Sequence, residues 1–188
     1  MDGRFLARFI HKNMLKNKPR ILAIDPGTRK MGVAFLDGGK LIYHGIKVIR
    51  CGKSPHERLR EGRKAVLRLI RDFKPRVLVY EKAFFAQNRN AAILNVLADE
   101  IKAIGRRRGL KVMSYAPSTV KKLICGNGRA SKKELSKVVV SKYPELKVYL
   151  TQNRAWKERH HQNMFDAVAL GLMALSSRPT ASRMRDEG

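Results

Sequence analysis

Residues 21–36 read ILAIDPGTRKMGVAFL. An apolar run ends on an aspartate, Pro-Gly and a basic pair follow, and a second apolar run begins. ILAI and MGVAFL have the length of strands, and Pro26-Gly27 between them marks a turn. Gly38-Gly39 is the next turn signal, and LIYHGIKVI (41–49) beyond it reads as a third strand. The stretch therefore predicts an antiparallel meander, with a carboxylate, Asp25, at the carboxyl end of its first strand.

Outward from the meander the pattern alternates. Residues 56–73, with Leu59, Val66, Ile70 and Phe73 on one stripe, predict a helix. RVLVYE (76–81) predicts a buried strand ending on Glu81. Residues 90–107 predict a second helix, KVMSYA a fifth strand, and residues 117–124, 131–143 and 163–176 further helices. Strands and helices in this order pack as a central mixed sheet of five strands flanked by helices, an α/β fold. Residues 1–20 form a basic extension, 21–177 the single domain, and 178–188 a flexible tail. Phe5, Leu6, Phe9, Ile10 and Met14 recur at helical spacing in the extension. That pattern fits a docking or DNA-binding helix, an organelle presequence or a helix covering the core edge.

The chain has 188 residues, with 41 Lys plus Arg against 15 Asp plus Glu, a net charge of +26. Such a charge repels itself unless a polyanion offsets it, and nucleic acid is the polyanion it implies. The two cysteines, Cys51 and Cys125, lack the spacing of a zinc site or a disulfide framework. They read as reduced thiols in a cytosolic-type compartment, with organelle targeting by the extension left open. No apolar run reaches the roughly 18 residues of a membrane span.

In this basic chain the acids stand out by position. Asp25 and Glu81 end two strands, and sites in open α/β sheets gather at the carboxyl ends of strands. Asp166 is the one charged residue in NMFDAVALGLMAL, residues 163–175. If the two strands are neighbours, their carboxylates converge. One reading pairs each acid with an Arg or Lys, since a buried acid without a partner costs several kcal/mol. The other is a divalent-cation site, because oxygen-only ligands suit Mg2+ or Mn2+. Two ions about 4 Å apart activate a water and stabilise the leaving oxygen in phosphodiester hydrolysis. A basic surface would then collect the phosphate backbone for the acids' metals to cut.

Four segments, in order from about residue 21 to 175, together resemble the RuvC-type Holliday-junction resolvases of the ribonuclease H-like superfamily. AIDPGTRKMGVA resembles the family's first acidic motif. YEKAFFAQN resembles its second, an acid followed by an aromatic-containing run and Asn88. YAPSTVKKLICGNGRASKKEL resembles the stretch with Tyr-Pro, Val-Lys and Gly-x-Gly-x-Ala-x-Lys. FDAVALGL resembles the last, Asp-Ala-rich helix. The resemblance implies a ribonuclease H-like fold and a homodimer that cuts four-way DNA junctions by paired symmetrical nicks. It also implies two Mg2+ ions per active site, with Mn2+ a possible substitute.

By position, Asp25, Glu81 and Asp166 correspond to the metal-binding catalytic acids. The family's fourth ligand, an Asp or His three residues before the last acid, is replaced by Asn163. An amide oxygen can bind a metal but carries no charge. His160 and His161 stand close by as substitutes, although helical i,i+3 spacing favours Asn163. Phe84 matches an aromatic used at the junction centre, where base stacking is worth about 1–3 kcal/mol. Lys121 and Lys132 match basic positions of the third motif and would hold or neutralise phosphate. Arg129 adds a further DNA contact. Gly126 and Gly128 allow a tight turn before a helix whose N–H groups can meet a phosphate. The first motif also resembles the YqgF-type proteins of ribosomal RNA processing, so an RNA nuclease is one alternative. A junction-binding protein without activity is another, for which Asn163 leaves room. The helix 90–107, with Ile93, Val96, Leu97, Ile101 and Ile104 in a stripe, is a candidate dimer interface or a core face.

Overall fold

The computed structural model describes residues 19–27, 29–49, 54–82, 89–150 and 155–177. Phe84, Phe85, Asn88, Cys51, residues 1–18 and the tail from 178 lie outside them, as does the side chain of His160.

The meander is present. Strand β1 (Arg20–Asp25) pairs antiparallel with β2 (Lys30–Asp37), and β2 with β3 (Lys40–Val48). Gly38 and Gly39 both take positive φ, 57° and 89°. Two such residues make the turn whose twist matches a hairpin, so the glycine pair sets the register of Asp37 against Lys40. Helix α1 (Pro55–Phe73) follows. Its first turn is secured by Ser54 Oγ, which accepts from the His56 N–H, and by Pro55 at the first position.

Strand β4 (Val77–Glu81) then inserts parallel to β1, helix α2 spans Arg89–Arg107, and β5 (Lys111–Tyr115) adds parallel to β4. The sheet order is β3-β2-β1-β4-β5, mixed and five-stranded as the sequence predicts. Helices α3 (Pro117–Cys125), α4 (Lys132–Lys142) and α5 (Ala155–Ser176) complete the chain, with a 3-10 turn at Pro144–Tyr149 between the last two.

The sheet divides the core in two. Leu22, Ile24, Leu78 and Tyr80 pack with Val66 and Ile70 of α1 and with Leu97, Ile101 and Ile104 of α2. Ile21, Ala23 and Val79 pack on the opposite face with Val120, Leu135, Val139 and the apolar stripe of α5. The α2 stripe is accordingly core: Leu97, Ile101 and Ile104 are buried, and only Val96 stands out, 51% exposed.

Candidate active site

Strand periodicity aims the first two acids. Side chains alternate between faces along a strand. Ile21 and Ala23 lie on the α5 face, so Asp25, two residues further, lies there too; Val77 and Val79 place Glu81 likewise. The parallel register pairs Ile24 with Tyr80, which makes Asp25 and Glu81 the next residues on adjacent strands. Neighbouring strands run about 4.8 Å apart, so the carboxylates are brought side by side at the carboxyl edge of the sheet.

Helix α5 supplies the third. It crosses β2 so closely that a Cβ on Gly32 would run into the Asn163 carbonyl. Gly32 is the cross-strand partner of Asp25. The missing side chain at 32 thus lets the backbone of Asn163 descend beside Asp25, and Asp166 follows one turn later. A second fastening holds this approach: the Asn163 amide nitrogen donates to the Lys30 carbonyl at 3.1 Å. Glu81 and Asp166 share one crevice of about 10 Å3, close to the volume a single water needs, with Lys121 and Pro117 on its rim.

Helices α3 and α4, joined by a tight connection, bring two lysines near the acids. Helix α3 ends at Gly126 in the left-handed region (φ 77°). The Asn127 side chain accepts from the Arg129 N–H at 2.9 Å, and the chain re-enters helix at Ser131. A capping box closes that start: the Ser131 hydroxyl accepts from the Glu134 N–H, and the Glu134 carboxylate accepts from the Ser131 N–H. Lys121 and Lys132 thereby come within electrostatic range of the cluster, whereas Arg129 lies on the exposed outside of the turn.

The electrostatics are those of acids crowded out of water. Asp25, 8% exposed, has its carboxyl pushed well above the usual range, first by burial and then by Glu81 and Asp166; Lys132 pulls the other way. Glu81 is pushed up to about 7 by burial and by Asp166, against Lys132 and Lys121. Asp166 is raised by burial and is partly relieved by Gln162, which donates to its Oδ1 at 3.0 Å, and by the same two lysines. Among the described residues none of the three forms an ion pair, so the reading that gives each acid a basic partner does not describe them. Nor, among the described residues, do three His, Cys, Asp or Glu side chains close on a common ligating centre. The carboxylates share a neighbourhood while repelling one another. Buried or half-buried, oxygen-only and without an ion-pair partner among the described residues, this donor set fits a hard divalent cation.

The remaining candidates are placed as follows. Asn163 stands one turn before Asp166, and with its nitrogen engaged only its oxygen could serve as a ligand. His161 packs its ring on Tyr149 at a centroid distance of 4.7 Å. Gln162 and Gly32 were not singled out from the sequence. The i,i+4 spacing of Gln162 and Asp166 was the available signal for the first. Contact between β2 and α5, which Gly32 permits, has no local signal at all.

The model of the family described as "Crossover junction endodeoxyribonuclease RuvC" matches residues 21–173. A protein of that description from Hydrogenovibrio crunogenus is 32% identical over 124 residues, covering 64% of this chain and 72% of the relative. One from Prochlorococcus marinus is 34% identical over 125 residues, covering 64% and 80%. The solved structure of Thermus thermophilus RuvC superposes with a TM-score of 0.63 at 22% identity, over 82% of this chain and 93% of that one. The yeast mitochondrial Holliday junction resolvase superposes at 0.66 with 12% identity, over 93% and 92%. At those identities the two structures speak for the fold, and the family match covers the meander, all three acids and the lysine-bearing helices. The chain belongs to the RuvC family of crossover junction endodeoxyribonucleases.

Proposed function

We propose that the chain is a structure-selective endonuclease that resolves four-way DNA junctions, with Asp25, Glu81 and Asp166 as its metal-holding catalytic acids. The observation that carries the reading is that these three carboxylates, from β1, β4 and α5, lie within electrostatic reach of one another at one edge of the sheet, in a chain of net charge +26. A relative's structure, that of T. thermophilus RuvC, is described as a complex with a Holliday junction substrate.

Asp25, Glu81 and Asp166 would hold the divalent cations, Mg2+ with Mn2+ as substitute, and Asn163 Oδ1 is the candidate for a further, uncharged contact; His161 is the more distant candidate. Two ions held there supply a Lewis acid and an activated water for phosphodiester hydrolysis. The chain's own contributions are separable from that. Gln162 fixes the rotamer of Asp166 through one oxygen and leaves the other for a cation. Lys121 and Lys132 act electrostatically on the acids, and from there they would offset charge on the scissile phosphate. Arg129, Phe84 and Asn88 complete the proposed DNA contacts. Each chain carries one acid cluster, and paired symmetrical nicks require two, so the acting species is a homodimer. Its setting would be the cytoplasm of a bacterial or phage-infected cell.

The test is a labelled four-way junction and a matched linear duplex, each with and without Mg2+, cut by the wild type and by Asp166→Asn. Paired nicks in the junction alone, dependent on Mg2+ and lost in the variant, are expected. Tight binding with no nick in Mg2+ or Mn2+ would leave a binding protein, and cleavage of structured RNA instead would favour the YqgF-type alternative.

A further inference from the structure

A cleft of about 520 Å3 opens beside the acids, within the usual size range of small-ligand sites. It shares Gln162 and Asn163 with the active site, and its α4 wall begins at Lys132, the lysine that acts on all three carboxylates. Lys133 and Lys137 continue that wall for a further turn. The rest of the lining is of another character and includes Tyr149, Leu150 and Phe165. The Tyr149 ring is held in place by two histidines from different elements. His44 of β3 meets it edge-on at 5.5 Å, and His161 of α5 lies against it at 4.7 Å. His44 is itself anchored, its Nδ1 lying 3.3 Å from the Met164 sulfur.

A cleft lined both by lysines and by a fixed aromatic ring and apolar residues is complementary to a ligand with an anionic edge and a flat, weakly polar body. A nucleotide has that shape and charge distribution. An acidic peptide would use the lysines but has no planar group for Tyr149, and a paired duplex is too wide to bring a base into a cleft of this volume. Continuity with Gln162 and Lys132 puts the occupant next to the scissile phosphate. Resting on the resolvase reading above, we infer that this cleft is a nucleotide subsite. It takes one unpaired nucleotide flanking the cleavage point, with its base against Tyr149 and its phosphate on Lys133 and Lys137. Tyr149 is then a specificity-determining residue, because an unpaired base can be selected by how well it stacks.

Photocrosslinking tests this on the full-length chain. Wild-type nicking first maps the cleavage positions on the junction. 5-Iodouracil is then placed at each nucleotide within two of that position, and complexes are irradiated with the Asp166→Asn chain, which binds without cutting. A crosslink mapped by mass spectrometry to Tyr149 is expected, from one nucleotide position rather than from all. Tyr149→Leu should weaken junction binding about tenfold and relax the sequence preference of wild-type cleavage, whereas Tyr149→Phe should stay within about twofold. Replacing Lys133 and Lys137 together by Gln should lower the slope of log affinity against log salt by about one, since the two share a single phosphate. Nicking without any Tyr149 crosslink, or a Tyr149→Leu chain with unchanged affinity and preference, overturns the subsite and leaves the resolvase reading standing. No nicking in the first step overturns that reading itself.

Discussion

At the scale of single residues, the site is a place where folding and function pull apart. Three acids raised by burial, Asp25 and Glu81 also by their acidic neighbours, destabilise the fold once they ionise. Glu81 gives the sign: a carboxyl at 4.5 in the open chain and about 7 in the fold binds more protons when folded. Its contribution is therefore most favourable below pH 4.5 and is lost as pH rises towards 7. Glu81→Gln, with nearly the same shape and no charge, should raise the melting temperature of the metal-free protein at pH 8. The gain corresponds to roughly 1–3 kcal/mol and should fade as pH is lowered towards 4.5. The same variant should lose junction cleavage. Thermal scans in EDTA across that pH range check the first expectation. In wild type, added Mg2+ should reverse the trend, since a cation displaces protons and stabilises more as pH rises. Asn163→Asp makes the opposite change. It adds a fourth charge one helical turn from Asp166, and it should tighten Mg2+ binding by about tenfold or more while lowering the metal-free melting temperature. Calorimetric titration of Mg2+ into both chains measures it.

At the scale of elements, what the sequence discloses is what local periodicity encodes. Alternation and turn glycines are properties of a few neighbouring residues, so the meander, β4 and β5 are legible, and the strand ends carry Asp25 and Glu81 with them. The start of α5 is not. Residues 155–162, AWKERHHQ, contain good helix formers but no apolar period, so the predicted helix begins at 163 while the real one begins at Ala155. The Pro144–Tyr149 turn is too short to show a period at all. Asp166 is legible as a charge among apolar residues, but its distance from Asp25 is not, because that depends on how α5 lies across β2. Gly32 sets this approach. Gly32→Ala would drive a methyl into the Asn163 backbone, which cannot swing aside as a side chain can. We expect a loss of roughly 3 kcal/mol in urea denaturation and near-complete loss of nicking, with Asp166 displaced from the two strand acids. Gly45→Ala is a fitting control, since its nearest atom would be the Tyr43 hydroxyl oxygen at 3.3 Å, the end of a side chain that can move.

At the scale of the whole molecule, the two charges of opposite sign divide the work. On the function proposed above, a net +26 would supply affinity without choosing where to cut, and the acids, Asp25 buried and Glu81 and Asp166 half-buried, would choose without supplying affinity. Phosphate contacts release counterions, so log affinity should fall linearly with log salt, by about 0.9 per phosphate neutralised on duplex arms. With about six to ten contacts, affinity would drop roughly 10^3 to 10^5 between 50 and 200 mM salt. Asp25 is buried and Glu81 and Asp166 are partly buried, so the acids are screened less than the surface charge. Single-turnover cleavage with junction already bound should accordingly change little over the same range. Filter binding and pre-bound rapid-quench cleavage, run on one set of salt concentrations, separate the two. A bound-complex rate falling in parallel with affinity would mean that surface charge, through Lys121 and Lys132, also sets the barrier, and that the division of labour between surface and core is wrong.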